Sequence, residues 1–288
     1  MLGRGTNNMI EYRIFMLYPL VDYYNDHDLR LNMLADELNI DRKAIRHFEP
    51  SYAKIEYGSF AYRNIKMVAE KYGYNAVENT YGIKYSKTEM SKANLFEMKL
   101  AIYGKEDYTE SYQTKFSDFY CEKCGVHQYI PMEDIYINKA EFRGKDIATS
   151  MKCNNEIIVS DKMKKLIEES TLTGIEFYPA YHYNNKIKND FPAWHMRVKS
   201  IMPPIDKSMT VNILEGYCSL CKIHHIIPLS YVRYQLNEIK SASDFNLSVE
   251  KFGPGWYGSP KLIVSKKVYD LIRDNKIKGC RFEIVGVV

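Results

Sequence analysis

Apolar and polar residues first alternate clearly between Ile10 and Met16. Ile10, Tyr12, Ile14 and Met16 fall on one side of an extended chain, so a strand is expected there. The period then lengthens. In DLRLNMLADELNI (28–40), Leu31, Leu34, Ala35 and Leu38 recur at helical spacing. DRKAIRHF (41–48) reads as a second short helix, FAYRNIKMVAEKYGY (60–74) as a third and MSKANLFEMKLAIYG (90–104) as a fourth. Residues 1–110 are therefore expected to form a mainly helical N-terminal region with one strand at its start.

Beyond residue 110 the pattern repeats itself. Tyr120-CEKCGVHQYIP-Met132 and Tyr217-CSLCKIHHIIP-Leu229 align at a constant offset of 97, matching Cys121 with Cys218, Cys124 with Cys221 and His127 with His224. IIVSDKMKKLIEESTLTGIEF (157–177) then aligns with LIVSKKVYDLIRDNKIKGCRF (262–282) at an offset of 105. In both copies a short strand runs into a serine suited to cap a helix, Ser160 or Ser265. Met163, Leu166 and Ile167, like Val268, Leu271 and Ile272, follow at helical spacing. Gly174 or Gly279 then supports a turn, and IEFYPA or CRFEIVGVV reads as a closing strand. Two blocks in the same order indicate duplication. The extra length of the second copy is assigned largely to the loop FGPGWYGSP (252–260). A further strand is expected around Trp194 to Ile201.

The expected fold class is α+β: two duplicated β/α zinc-knuckle units preceded by a mainly helical N-terminal region. The expected domains are residues 1–110, a first CxxC unit at 111–185, and 186–288 with the inter-repeat segment and the second CxxC unit.

The chain has 288 residues, 45% of them apolar, enough for a substantial core and against a disordered chain. Six cysteines are too few for a disulfide scaffold but suit metal sites. The stretch Ile14–Val21 is short for a membrane span and no cleavage site follows it. A cytoplasmic location is therefore expected, where paired cysteines serve as metal ligands. Cys121, Cys124, Cys218 and Cys221 supply four thiolates, a complete tetrahedral shell for structural Zn2+ with no open position for catalysis. The 93 residues between Cys124 and Cys218 exceed the usual zinc-ribbon separation and leave two pairings open. In the favoured one a single ion clamps the two copies together; in the other each copy binds its own, with His127 or His224 as third ligand. The plain reading of the two histidines is as strand or turn residues. Cys153 and Cys280 have no paired neighbour and read as buried packing residues. A dithiol oxidoreductase would need a helix after the motif; VHQYIP and IHHIIP are strand-like instead.

With these motifs and the L-I-V-S–helix–glycine–strand ending, residues 116–288 resemble the double-CxxCG family of bacterial proteins associated with immunity to contact-delivered polymorphic toxins. CEKCG carries Gly125; CSLCK has Lys222 where the family has glycine. The resemblance implies a non-enzymatic binding protein that occludes a cognate protein toxin. Recognition would need exposed aromatic anchors. The candidates are Trp256 and Tyr257 in the loop 252–260, which belongs to the second copy alone, together with Tyr181, Tyr183 and Trp194. For the loop, an ordinary hydrophobic plug closing the second unit is the competing role.

Two other functions compete. LNMLADELNIDRKAIRHFE (31–49) is similar to a helix-turn-helix, which would present Arg42, Lys43 and Arg46 to DNA. Against it, residues 1–110 hold 15 basic and 16 acidic residues, and the whole chain carries a net charge of only +4, whereas a DNA reader concentrates positive charge. For an enzyme, the Walker loop, nucleophile elbow and H-E-x-x-H motif are all missing from the sequence. No small-molecule substrate or membrane partner is evident.

Overall fold

A computed structural model describes residues 10–20, 26–46, 51–103, 116–123, 127–131, 135–137, 142–150, 156–182, 189–206, 208, 211–221, 224–228, 232–253 and 259–288. The chain divides into two compact units, Met1–Lys92 and Ala93–Val288.

In the first unit, β1 (Ile10–Pro19) is followed by α1 (His27–Glu37), β2 (Ile45–Arg46), β3 (Ser51–Glu56), α2 (Phe60–Lys71), β4 (Tyr74–Lys84) and α3 (Lys87–Lys92). The strands form an antiparallel sheet in the order β2-β3-β1-β4, the β-α-β-β-α-β arrangement of a split sheet. Alternate residues of the strands, Phe15, Leu17, Ala53, Ile55 and Ala76, join Leu31, Leu34 and Ala35 of α1 and Ile65, Val68 and Ala69 of α2 in one core. The hydroxyl of Ser59 caps α2, accepting from the Tyr62 amide at 3.1 Å. His27 ties α1 to the sheet: Nε2 lies 2.9 Å from Ser51 Oγ and Nδ1 2.9 Å from Tyr74 Oη.

This corrects the expectation of a mainly helical N-terminal region. Strand predominates over helix among the described residues, and two expected helices are replaced. At 41–48, Asp41 caps a 3₁₀ turn, Arg42–Ala44, and Ile45 is extended and enters β2. The β-branched Ile45 and the Glu49-Pro50 step, which disfavours helix at Glu49, oppose continuation. Among the described residues of this segment, 41–46, the second helix that a helix-turn-helix requires is therefore not formed. At 90–104, α3 ends at Lys92 and Leu95–Leu100 is a strand. Leu95, Phe96, Glu97 and Met98 are all buried; a strand covered on both faces has no alternation, and its periodicity cannot be told from that of a helix.

The second unit opens with β5 (Leu95–Leu100) and β6 (Ile102–Tyr103). The first copy then runs β7 (Phe116–Tyr120), β8 (His127–Pro131), β9 (Ile135–Ile137), β10 (Ile147–Ser150), β11 (Ile157–Ser160), α4 (Asp161–Glu169), β12 (Ile175–His182) and β13 (Asn189–Val198). The second runs β14 (Val211–Tyr217), β15 (His224–Pro228), β16 (Arg233–Tyr234), β17 (Phe245–Leu247), β18 (Lys251–Phe252), β19 (Leu262–Ser265), α5 (Lys266–Asp274), β20 (Cys280–Ile284) and β21 (Gly286–Val287).

The duplication holds register by register. Val159 pairs with Ile147 across β11 and β10, and its counterpart Val264 pairs with Phe245 across β19 and β17. His182 pairs in parallel with Ile137, and Val287 with Tyr234. β13 completes the first copy by pairing with β11 and β12. The equivalent strand of the second copy is β5, which pairs with β19 and β20 although it precedes the first knuckle in the chain. LFEMKL (95–100) thus matches AWHMRV (193–198) at an offset of 98, a third aligned block.

Each copy also grips the other beyond its helix. Lys278 O accepts from the amide of Ile147 at 3.1 Å, and Thr173 O from that of Phe245 at 3.1 Å. The carboxylate of Asp146 accepts from the Lys278 amide at 2.9 Å, and that of Asp244 from the Thr173 amide at 3.1 Å. The glycines are required at these crossings. Gly174 and Gly279 have φ of +94° and +107°, and a Cβ would lie 2.2 Å from Phe245 O and 1.9 Å from Ile147 O respectively. Ser160 caps α4 through the Met163 amide at 3.2 Å, whereas the hydroxyl of Ser265 turns to Asp244 at 2.7 Å and makes no cap bond. Among the described residues no helix is long and apolar enough to cross a membrane.

Candidate metal centre

The two knuckles are built alike. Tyr120, at the end of β7, pairs with His127 at the start of β8, and Tyr217 pairs with His224 across β14 and β15. Each hairpin places a cysteine directly after its first strand, and the pseudo-symmetry of the copies brings Cys121 and Cys218 together. Their sulfurs are 3.6 Å apart, too far for a disulfide bond of about 2.05 Å. Cys221 joins them, the three sulfurs lying within 4.8 Å of one another. Cys121 and Cys218 are buried and Cys221 is half-buried. Lys123 donates across the knuckles to Ser219 Oγ at 2.8 Å.

Burial raises the Cys218 thiol, but hydrogen bonds outweigh it. The backbone amide of Cys221 leads, followed by that of Leu220 and the neighbouring thiols, and together they lower the thiol to about 6. Three sulfurs in one cluster, one of them a thiol held low, are the donor set of a metal site, and this cluster could hold a metal ion. Cys124, the fourth expected ligand, lies outside the described residues, as does Cys153. Cys280 lies on β20, where burial, followed by the charge of Asp146, pushes its thiol up to about 12.

Of the expected partner-binding residues, Tyr183, Trp256 and Tyr257 lie outside the described residues. Tyr181 is half-buried beside Tyr136, ring centroids 5.7 Å apart. Trp194 is half-buried against α4: its indole donates to Asp161 at 3.3 Å, and the Lys164 ammonium sits 4.3 Å from the ring centroid.

Two buried ion pairs were not foreseen. In the first copy Glu156 pairs with His195; at the equivalent positions of the second, Lys261 pairs with Glu97. The acidic position is exchanged between the two sites, and the contact in the first copy is an ion pair only when the His195 imidazole is protonated. Removing one member of such a pair costs about 3–5 kcal/mol, so the two positions of a pair are constrained jointly. Aligning β5 with β13 at the offset of 98 would have exposed both.

No protein-family model matches the chain, and no curated protein shows significant similarity to it.

Proposed function

We propose that the chain is a non-enzymatic binding protein whose duplicated unit is clamped by one structural zinc ion, and that it serves as an immunity protein occluding a cognate bacterial toxin. The observation that carries the zinc reading is the 3.6 Å approach of Cys121 and Cys218 from knuckles 97 residues apart. Tetrahedral zinc with bonds of about 2.3 Å sets its sulfurs about 3.8 Å apart, so the spacing suits the ion. Cys124 supplies the fourth thiolate, and four thiolates leave no place for a reactive water. Such a site contributes rigidity, and the reading assigns the chain to a reducing compartment where thiols persist. The immunity role is supported by the resemblance of the knuckles and closing elements to the double-CxxCG family. Trp256, Tyr257, Tyr181, Tyr183 and Trp194 are the proposed anchors.

Elemental analysis of the purified chain should give one zinc per chain; two would favour separate sites, and none would refute the clamp. Cys121→Ser and Cys218→Ser should each abolish binding of that ion. For the partner, co-purification with the product of a neighbouring toxin gene should yield a stoichiometric complex that loses toxicity. Failure to bind that product would overturn the immunity assignment and leave the metal assignment standing.

A further inference from the structure

We propose that the cysteine cluster is also a hydroperoxide-sensitive modification site, at which oxidation replaces the metal clamp by a disulfide between Cys121 and Cys218 that joins the two copies covalently. The inference concerns the site of the preceding section but rests on the positions of the three sulfurs themselves.

The three thiols differ in access. Cys121 and Cys218 are 1% and 3% exposed, whereas Cys221 is half-buried, so an oxidant in solution meets Cys221 first. Its thiolate attacks the outer oxygen of a hydroperoxide, the O–O bond breaks and the alcohol leaves, giving a sulfenic acid on Cys221. The thiolate of Cys218 then attacks that sulfur, the S–O bond breaks and water leaves. Two thiols have lost two electrons and two protons, and the hydroperoxide has become an alcohol and water. The third thiol makes this cluster more than an ordinary C-x-x-C pair. Cys121 Sγ stands 3.6 Å from Cys218 Sγ, within reach for thiol–disulfide exchange. Its thiolate attacks Cys218, expels Cys221 as thiolate and leaves the bond between the two most buried sulfurs. An ion held by the cluster loses two ligands in the process and is released.

The main sheets are positioned to survive the exchange. The copies are held together by β5, in the sheet of the second copy, running on into β6, which pairs with β10 of the first, and by the amide and carboxylate bonds of Asp146 and Asp244, none of which involves the knuckles. The switch therefore changes the chemistry at the clamp, from an ion to a covalent bond, while the surrounding fold is retained.

The test treats the purified full chain with hydrogen peroxide, blocks residual thiols with N-ethylmaleimide and maps tryptic peptides under non-reducing conditions. The expected product links peptide 116–123, which holds Cys121, to peptide 208–222 through Cys218, with Cys221 alkylated and the far-ultraviolet circular dichroism retained. A disulfide confined to one knuckle, a sulfinic acid as main product, or a bond between chains would each overturn the proposal. Cys221→Ser should slow the oxidation about tenfold or more, since reaction follows thiolate access; an unchanged rate would refute Cys221 as the point of entry. Zinc content before and after treatment is read separately, so a chain purified without metal tests the disulfide alone.

Discussion

Replacing Gly279 by alanine probes the interlock between the copies. An alanine Cβ would lie 1.9 Å from Ile147 O, where ordinary contact begins at 3.4 Å, so the chains must separate by about 1.5 Å locally. That movement strains three hydrogen bonds across the crossing: Ile147 to Lys278 at 3.1 Å, Asp146 to Lys278 at 2.8 Å and Ala101 to Gly279 at 2.7 Å. Each contributes about 0.5–1.5 kcal/mol, and the φ of +107° costs an L-residue a further 1–2 kcal/mol or so. The expected loss is about 4 kcal/mol, a large part of the 5–15 kcal/mol or so that a domain commands. Gly144, with φ of +76° and nothing within 4 Å of its Cβ position, is the control; Gly144→Ala should cost only the backbone part, about 1–2 kcal/mol. Urea unfolding followed by tryptophan fluorescence measures both, and Gly174→Ala should fall close to Gly279→Ala. Equal losses in Gly279→Ala and Gly144→Ala would refute the close crossing.

The buried pair of the second copy should respond to charge removal. Lys261→Met should cost about 3 kcal/mol by leaving Glu97 only the more distant Lys99 ammonium, at 4.0 Å, and Glu97→Leu added to it should recover a large part in urea melts; an additive double variant would contradict the pairing. At high pH, Cys280, raised from 9.0 to about 12 by burial, and Tyr234, raised from 10.0 mainly by burial, both hold their protons more tightly in the folded chain. Their contribution is therefore complete below about pH 9 and lost as pH rises; urea midpoints should fall as pH rises from about 9 toward 12, less steeply in Cys280→Ala. A chain of residues 93–288 should keep the cooperative unfolding of the second unit by circular dichroism, whereas one of 111–288 lacks β5 and should not; equal cooperativity would show that β5 is dispensable.

The knuckle hairpins, the Ser160 cap, the post-helix glycines and the closing strands were legible because each rests on local chemistry, whereas Ser265, expected to cap the second helix, makes no cap bond. Strand β1 was legible as a strand, but its core face is Phe15 and Leu17, the opposite of the expected Ile10, Tyr12, Ile14 and Met16. Helices α1 and α2 were legible from periodicity, since each has one buried face. β5 was not. Its residues Leu95, Phe96, Glu97 and Met98 are buried on both sides, and its partners Ile263 and Phe282 lie more than 160 residues away. The segment 41–48 failed for the opposite reason. It has helix-forming residues, but the Asp41 cap closes only one 3₁₀ turn before Ile45 joins β3, an outcome decided by sheet pairing. At the site, two C-x-x-C motifs did not settle whether one cluster or two would form. Convergence of Cys121 and Cys218 follows from the pseudo-symmetry of the copies, which spacing alone does not convey.

The position of β5 also bears on what a metal clamp has to do. Had each copy drawn its closing strand from the hairpin that follows its own β12-type strand, the halves would be joined mainly by the knuckles and by the crossings at Gly174 and Gly279. With β5 supplied from upstream of the first knuckle, the sheet of the second copy closes by pairing β5 with β19 across the whole of the first copy, which lies between them in the chain. The chain is thereby committed to both copies at once, and the main sheets do not depend on a metal for their union. Cys121 and Cys218 lie on hairpins separate from those sheets: β7 pairs with β8, and β14, β15 and β18 form a sheet of their own. A metal at the cluster thus acts on the knuckle layer, fixing the hairpins to one another. Chelation should release these hairpins while leaving the paired strands β11, β13, β19 and β5 in place.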